Sequence, residues 1–495
     1  MSSTKVKLER EVQIFPSEIS MIADDLAGAC DTGIEFLDSV GRVTVAVDSD
    51  WTEINNDQRE GLVVWNTESR SLSAHEAYDK VRRASRVAGK NKIRILLKKT
   101  DSAFRSHFGR EIAAVMDELQ LELCCLAPAI PAFGRVTRNG IQYIDGLPIA
   151  ESFYNKDPKH PVTRSCVSEI TAMGTRRRIG LLNLETLRSN NSLKQIERLI
   201  ASGVQIIVAD GESRTDLERV VDLFLKRSGR LVFVGGQSLG NALAHYCVPD
   251  AEPDTWTKVP RGGVVIVCGT LHPQTRAQLR LSSKTHGLDP VFIQMDASID
   301  CASIEAEAER ATVNLTDQIE KFGLGFLASS EDPIHDPDRV EKSLSLTVQK
   351  ICDRKKLAGL ILTGGTTAYG VCRLMEIKRL QLRQRITPGV VLAQAPEVYG
   401  MAIGIKGGWI SVLHQYPSEM ALSFWTAIWA FAVCFVFTVI ISFATQRTKA
   451  DNELKGLVYS LTPKYKEEGV KWYQSNVALA IFVGAIAIAL SIIFW

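Results

Sequence analysis

Two consecutive carboxylates, Asp24 and Asp25, follow a short apolar segment and open the turn before the stretch LAGACDTG. Carboxylates placed in this way could hold the hydroxyl groups of a sugar, or one of them could act as a general base. Asp25 could equally cap the helix that follows, because a carboxylate at the N-cap position accepts a backbone N–H. The two residues alone favour neither interpretation.

A cluster of charged residues follows the apolar segment KIRILL. The eight residues KKTDSAFR contain Lys98, Lys99, Asp101, Ser102 and Arg105. Cations beside one carboxylate at the end of a strand suit an anionic, hydroxylated ligand, since charge-assisted hydrogen bonds are strong. A solvated run of surface charges would have the same composition. Further along, PAIPAFGR ends in Arg135, which a rigid turn would present.

Two turns in the second half of the chain could bind phosphate. LAGLILTGGTTAYG places Gly364, Gly365, Thr366 and Thr367 between a strand and a helix, and VVIVCGT places Thr270 after a strand. Glycine-rich backbone at a helix N-terminus offers unpaired N–H groups to an anion. The pattern matches neither common phosphate-binding motif, so an ordinary tight turn remains an equal alternative.

The elements that must position these residues follow one pattern along the chain. Short, continuous apolar runs alternate with polar helical stretches, which predicts a parallel sheet with crossover helices and therefore an α/β fold. A proline-rich segment without periodicity, 248–261, is predicted to be a linker. We expect two parallel-sheet α/β domains facing a cleft, over 15–247 and 262–408. Ligands of such sheets bind at the carboxyl ends of the strands, where the polar residues above lie.

Composition excludes several classes of protein. The 495 residues carry 58 Lys and Arg against 56 Asp and Glu, a net charge of +2, which argues against a nucleic-acid partner. The ten cysteines are scattered without CxxC or zinc-type spacing, so no metal site is predicted and a reduced, cytosolic setting fits best. A homo-oligomer is left open.

Two long segments near the C-terminus contain no charged residue. They are 420–446 and 472–495, and tryptophans lie near their ends. About 20 apolar residues span a bilayer core, so both are predicted to be transmembrane helices that form a hairpin.

Taken together, the motifs resemble those of the four-carbon acid sugar kinases over about 20–408. IADDLAGACDTG, KKTDSAFRSHFGRE and PAIPAFGRVTRNGIQYIDGLPIAESFYNKDPKHPVTRS are similar to the first half of that family, in the family's order. VVIVCGTLHPQTRAQL, LILTGGTTA and PGVVLAQAPEVYGMAIGIKGG are similar to its nucleotide-binding half. The chain departs from the family pattern at Ala27, Cys30 and Ser106, and it lacks the family's closing segment and helix after Gly408.

The resemblance implies an ATP-dependent kinase that phosphorylates a hydroxyl of a four-carbon acid, a tetronate or 3-oxo-tetronate. It implies that substrate hydroxyls are held, and one proton accepted, by Asp24, Asp25 and Asp101. The acid carboxylate or transferring phosphoryl group would be held by Lys99, Ser102, Arg105 and Arg135. ATP, with Mg²⁺ on its phosphates, would be held by Thr270, Gly364, Gly365, Thr366, Thr367 and Lys406. Because the nucleotide half ends early, a catalytically defective fusion is the alternative.

The segment from about residue 411 onward instead resembles the C-terminal end of sodium:solute symporters, in LHQYPSEMALSFWTAIWAF, ELKGLVYSLTPK and IIFW. The resemblance lacks the core helices of a transporter, so transport by this chain is not expected. Positive charges at 447–471 favour a cytoplasmic loop, which would place the kinase domains outside. A large domain without a signal sequence is hard to export, so we expect a membrane-associated protein with its kinase domains in the cytoplasm.

Overall fold

The computed structural model describes residues 12–47, 51, 61–91, 93–157, 160–227, 229–249, 261–294, 301–330, 336–398 and 401–406. The predicted membrane helices, 420–446 and 472–495, lie outside these residues, as do 250–260 of the predicted linker. Across the described part of the chain, no helix has both the length and the apolar composition needed to cross a bilayer.

The first half of the chain contains eleven strands and nine helices in its described residues. The strands are β1 (Ile19–Ala23), β2 (Val43–Ala46), β3 (Leu62–Asn66), β4 (Ile95–Lys99), β5 (Cys124–Ala127), β6 (Arg135–Arg138), β7 (Ile141–Ile144), β8 (Leu147–Pro148), β9 (Ile179–Leu182), β10 (Ile206–Ala209) and β11 (Leu231–Gly235). The helices are α1 (Leu26–Gly33), α2 (Leu37–Val40), α3 (Ala74–Ala88), α4 (Phe108–Leu119), α5 (Val167–Ala172), α6 (Leu184–Arg188), α7 (Ser192–Ala201), α8 (Arg214–Leu225) and α9 (Gln237–Ala244).

The second half repeats the alternation of strands and helices. Its strands are β12 (Gly263–Cys268), β13 (Val291–Ile293), β14 (Leu324–Ser329), β15 (Leu357–Thr363), β16 (Arg379–Thr387), β17 (Val390–Ala395) and β18 (Met401–Lys406). Its helices are α10 (Pro273–His286), α11 (Cys301–Phe322), α12 (Pro337–Arg354) and α13 (Gly365–Leu374). Every continuous apolar run predicted to be a strand is one, which confirms the α/β class.

Most strands join one sheet in the order β13-β14-β12-β15-β18-β17-β16-β2-β3-β1-β4-β11-β5-β10-β9. The strands from β2 to β9 in this order are parallel, and so are those from β13 to β18. Strands such as β1, β10 and β11 are buried along their whole length, as expected of parallel strands covered by helices on both faces.

The structure corrects the expectation of two purely parallel sheets. β16 and β17 are antiparallel, joined through Pro388 and Gly389, and the edge of β16 pairs antiparallel with β2 of the first half. β16 was not predicted because its sequence LQLRQRIT alternates apolar and polar residues, which is typical of a strand with one solvated face. Residues of both halves, including Phe36 and Leu380, therefore belong to one buried apolar cluster.

A separate three-stranded antiparallel sheet, β6-β7-β8, covers part of the carboxyl edge of the first half. Its first strand begins at Arg135, and Asn139 with Gly140 forms its tight turn with positive φ at both residues. The carboxylate of Asp210 accepts the N–H groups of both turn residues, at 2.6 and 2.9 Å, which fixes this sheet to the end of β10.

Candidate functional site

One pocket lies where polar segments follow β1, β3 and β4. Six of the residues predicted from the sequence line it: Asp25, Lys99, Asp101, Ser102, Arg105 and Arg135. Asp24 is fully buried and does not line the pocket, although it directly precedes Asp25. The carboxyl edge of the parallel sheet therefore brings these predicted residues together.

Two carboxylates and two cations form the floor of this pocket. Lys99 Nζ lies 3.1 Å from Asp24 Oδ1 and 2.8 Å from Asp25 Oδ1. Arg70 Nη2 lies 2.9 Å from Asp24 Oδ2 and 2.9 Å from Asp25 Oδ1. Burial alone would raise the pKa of Asp24, but the charges of Arg70 and Lys99 hold that pKa well below its usual value. Each of the four groups therefore has a partner of opposite sign, as buried charges require.

The two carboxylate oxygens of Asp25 have different environments. Oδ1 accepts hydrogen bonds from Gly28 N at 3.1 Å, from Arg70 and from Lys99. Oδ2 accepts none from the described residues and faces the second half of the chain, where a β-carbon added at Gly365 would lie 3.0 Å away. Asp25 therefore caps α1 with one oxygen and presents the other to the pocket, so the confirmed cap does not exclude a functional role for this residue.

Two arginines form the opposite wall. Arg105 Nε donates to Asp101 Oδ2 at 2.7 Å, and Arg135 donates to Ser102 Oγ and, at 3.0 Å, to the hydroxyl of Tyr154. The Tyr154 ring lies 5.0 Å from the guanidinium carbon of Arg105 and 5.7 Å from that of Arg135, within range of cation–π attraction. Burial would raise the pKa of Asp101, but Arg105 and Arg70 hold it well below the usual value.

The sequence analysis assigned no role to five polar residues of the pocket: Asp31, Arg70, Thr100, Tyr154 and Gln237. Asp31 belongs to the motif LAGACDTG that was quoted for the resemblance, and Arg70 follows β3 at the same edge of the sheet as Asp25, so both carried a usable signal. Tyr154 lies in a short 3-10 turn inside the quoted motif that begins PAIPAFGR, so it carried the same kind of signal as Asp31.

Asp31 has an unusual titration for a carboxyl. Burial and the neighbouring charge of Asp25 raise its pKa to about 7, against the opposing effect of Lys99. A carboxyl with such a pKa changes charge near neutral pH, which is typical of groups in functional sites.

Glu68 lies behind the pocket and combines two unusual features. Its backbone has φ of 44°, in the left-handed region, and its Oε1 accepts the N–H of Leu26 at 2.7 Å at the start of α1. Burial and the charge of Asp25 raise its pKa to about 8. Strained backbone of this kind costs about 1–3 kcal/mol and clusters at functional sites.

The raised pKa of Glu68 makes stability depend on pH. A carboxyl that holds its proton more tightly in the folded state stabilises the protein fully below its unfolded pKa and progressively less as pH rises towards about 8. We expect Glu68→Gln to gain stability relative to the wild type between pH 5 and 8, by at least about 2 °C in Tm. Thermal unfolding at several pH values measures this, with exposed Glu122→Gln as the control. If Tm changes with pH in the same way in the wild type and in Glu68→Gln, the pKa of Glu68 is not raised in the folded protein.

The predicted nucleotide-binding turn lies beside the pocket. Gly364 has φ of 108°, which only glycine adopts readily, and it immediately precedes α13. Gly269 packs so closely on Thr367 that an added β-carbon would be 1.9 Å from its hydroxyl oxygen. Thr270 lies against Gly364, and the backbone of Lys406 pairs with Thr363 just before the turn. Thr366 is exposed at this turn, so all the predicted nucleotide residues lie in one region.

No three His, Cys, Asp or Glu side chains of the described segments come together as a metal-binding group. Asp24, Asp25 and Asp101 instead have cationic partners.

Comparison with known proteins assigns both halves of the chain. Residues 19–243 match the sugar-binding N-terminal domain model, and residues 265–410 match the nucleotide-binding C-terminal domain model. The two matches lie in this order along the chain and together span most of residues 19–410. The boundaries of the two matches fall on either side of the predicted linker.

The relatives of this chain support the four-carbon acid sugar kinase family that its motifs predicted. A D-erythronate kinase of Heliobacterium modesticaldum is 24% identical, over 81% of this chain and 92% of the relative. A D-threonate kinase of Salmonella typhimurium is 26% identical, over 74% of this chain and 89% of the relative. These names support a phosphotransferase with an alcohol group as acceptor. The resemblance of the C-terminal segment to symporters finds no support among the matches.

Solved structures agree with the fold. A structure from Salmonella typhimurium superposes with a TM-score of 0.66 at 20% identity, covering 79% of this chain and 96% of the other. At this identity the likeness shows the two-domain α/β fold alone.

Proposed function

We propose that this protein is an ATP-dependent kinase that transfers the γ-phosphoryl group to a hydroxyl of a four-carbon sugar acid, a tetronate or 3-oxo-tetronate. The observation that carries the proposal is the position of Asp25 Oδ2, which lines the pocket of the sugar-binding half and faces Gly365 of the nucleotide-binding turn. A phosphoryl donor and a hydroxyl acceptor would therefore meet at one carboxylate oxygen.

The pocket walls suit an acid with several hydroxyl groups. Arg105 and Arg135 can attract a carboxylate and donate their remaining guanidinium N–H groups to it, since charge-assisted hydrogen bonds are strong. The hydroxyl of Ser102 and the amide of Gln237 supply further polar contacts. Phosphoryl transfer depends mainly on such positioning and on charge neutralisation.

We assign the general base to Asp25. Its Oδ2 has no donor among the described residues, whereas its Oδ1 is fixed by three. Asp24 lies beneath the pocket and acts as a positioning residue, since it holds Lys99 and Arg70 against Asp25. This replaces the sequence-based expectation that Asp24 touches substrate.

The turn at Gly364 to Thr367 fits the phosphates of ATP, because it presents backbone N–H groups at the start of α13. A magnesium ion on those phosphates needs only one or two protein carboxylates, and Asp31, which has no ion pair with a described residue, is the carboxylate of the pocket that could contribute. Such an ion would supply charge neutralisation. No described residue or relative favours the alternative, a catalytically defective fusion. We further propose that the two domains lie in the cytoplasm, where ATP is present.

The titration of Asp31 predicts a pH dependence of substrate binding. Above a pKa of about 7, Asp31 adds a negative charge to a pocket that binds an anion. We expect KM for the sugar acid to rise by about threefold or more between pH 6 and 8, and to stay flat in Asp31→Asn. Steady-state kinetics at fixed saturating ATP measure this, and an equal rise in the variant would contradict it.

The hydroxyl of Tyr154 positions Arg135 without touching the reacting atoms. Tyr154→Phe removes the acceptor of one arginine hydrogen bond but keeps the aromatic ring under both guanidinium groups. We expect KM for the acid to increase by about three- to tenfold with kcat nearly unchanged, because one hydrogen bond to a charged group is lost. Tyr78→Phe, which loses a surface contact with Asp117, is the control and should leave both constants unchanged.

The substrate class is tested by phosphorylation of a panel of acids with the full chain. D-Threonate, D-erythronate and a 3-oxo-tetronate are compared with a three-carbon and a six-carbon sugar acid, and products are identified by ³¹P NMR. We expect ATP-dependent product from at least one four-carbon acid, with kcat/KM at least about tenfold above that of the shorter and longer acids. No product from any four-carbon acid would contradict the proposal.

A further inference from the structure

A buried carboxylate links the two halves of the chain beside the pocket. Glu35 lies in a 3-10 turn directly after α1, and its side chain is 2% exposed. Its Oε2 lies 2.5 Å from Nη2 of Arg385, on β16 of the second half, and 2.7 Å from Nδ2 of Asn241. Its Oε1 accepts a hydrogen bond from Nε2 of Gln237 at 2.7 Å. One carboxylate therefore joins the end of α1 to α9 and to β16.

Two of these partners belong to the helix that begins at the pocket wall. Gln237 is the first residue of α9, and it lines the pocket together with Gly236. Asn241 lies one turn further along the same helix, which packs against α1. Glu35 therefore holds the first two turns of α9, and with them this part of the pocket wall.

The carboxylate also decides how the amide of Gln237 is turned. A carboxylate only accepts hydrogen bonds, so Gln237 must direct its NH₂ group towards Glu35. The amide oxygen of Gln237 is buried and has no donor among the described residues, so the contact with Glu35 is the one that orients the group. A glutamine in place of Glu35 could pair with either end of that amide, and the orientation would no longer be fixed.

Arg385 supplies a positive charge to this buried carboxylate from the other half of the chain. It lies on β16, whose residues 379–381 pair with β2 and so form the junction between the halves. A buried ion pair contributes little net stability, but removal of one partner leaves an uncompensated charge. The main effect of this pair is therefore expected on the arrangement of α9 relative to β16.

From these contacts, we propose that Glu35 and Arg385 are positioning residues for the sugar acid. Through them the nucleotide-binding half holds the pocket wall at Gln237 in the arrangement that binds the acid. This inference rests on the proposed function and adds to it two residues that do not line the pocket. Their effect on binding passes through Gln237 and the start of α9.

Steady-state kinetics of Arg385→Gln, with the acid that the full chain phosphorylates best, test the effect on binding. We expect KM for the acid to rise by at least about fivefold, with kcat and KM for ATP within about twofold of the wild type. Arg385→Lys keeps the charge and should recover most of the affinity. Arg379→Gln, on the same strand, loses only an ion pair with Glu397 at 3.0 Å and should leave all constants unchanged.

A double-mutant cycle tests the route through the pocket residue. Glu35→Gln should raise KM for the acid as Arg385→Gln does. In a Gln237→Ala background it should lose most of that effect, because residues that act through one another are not additive. An equal effect of Glu35→Gln with and without Gln237 would show a general loss of stability instead, and would overturn the proposal.

Hydrogen exchange of the full chain, followed by mass spectrometry, tests the structural link without any substrate. We expect the amides of α9 to exchange at least about threefold faster in Arg385→Gln and at the wild-type rate in Arg379→Gln. If the wild type phosphorylates no four-carbon acid, the proposed function fails, while this measurement still decides whether Arg385 holds α9. Unchanged exchange of α9, or faster exchange with an unchanged KM for the acid, would overturn the proposal.

Discussion

Replacement of Asp25 by asparagine is expected to lower kcat by about 10²–10⁴, the usual contribution of a general base. Asparagine retains an oxygen that can accept the N–H of Gly28, so the cap of α1 is preserved while the charge near Gly365 is lost. The affinity for ATP should change little, because the nucleotide-binding turn is untouched. Rapid-quench kinetics with the best acid of the panel measure the chemical step.

The control for this variant is Asp38→Asn, at an exposed position on α2, which should retain wild-type kinetics. If kcat decreases by less than about threefold in Asp25→Asn, Asp25 is not the general base. A large loss in Asp31→Asn together with a small loss in Asp25→Asn would move that role to Asp31.

Alanine at Gly28 is expected to abolish most activity while the protein remains folded. An added β-carbon would lie 1.7 Å from Lys99 Nζ and 2.4 Å from Asp25 Oδ1, so the lysine must leave its place between the two carboxylates. Alanine stabilises a helix by about 1 kcal/mol relative to glycine, so we expect α1 to remain helical in this variant. We expect kcat/KM to decrease by at least about 100-fold, comparable to the loss of an electrostatic group in a catalytic site.

Gly33→Ala is the matched control within the same helix. Its added carbon would contact only apolar side chains, nearest Leu382 at 3.1 Å, and no charged group. It should retain activity even if its stability changes. Wild-type kcat/KM in Gly28→Ala would show that the position of Lys99 is not required.

Much of the fold could be predicted from the sequence because buried parallel strands are continuous apolar runs. The same reasoning located Asp25, Lys99, Arg105 and Arg135, since ligand-binding residues of such sheets follow the strands. The junction between the two halves could not be predicted in this way. It depends on β16, whose polar, solvated face gives no continuous apolar run, and on a pairing with β2 that lies far away in sequence.

The details of the site depend on contacts that sequence spacing does not encode. Arg70 reaches Asp24 and Asp25 across 46 and 45 residues, and Tyr154 reaches Arg135 from an irregular turn. The difference between the buried Asp24 and the pocket-lining Asp25 arises from the opposite directions of successive side chains where β1 ends. The proximity of Gly365 to Asp25 likewise depends on the packing of α13 beside α1.

We propose that the nucleotide and the sugar acid bind side by side at Asp25. A bisubstrate analogue, in which a tetronate is joined to adenosine through a chain of phosphates, tests it directly in a binding titration of the full chain. If the two sites adjoin, we expect the analogue to bind at least about 100-fold more tightly than ATP, because the second contact becomes intramolecular. An analogue that binds no more tightly than ATP, at every length of the phosphate chain, would contradict it.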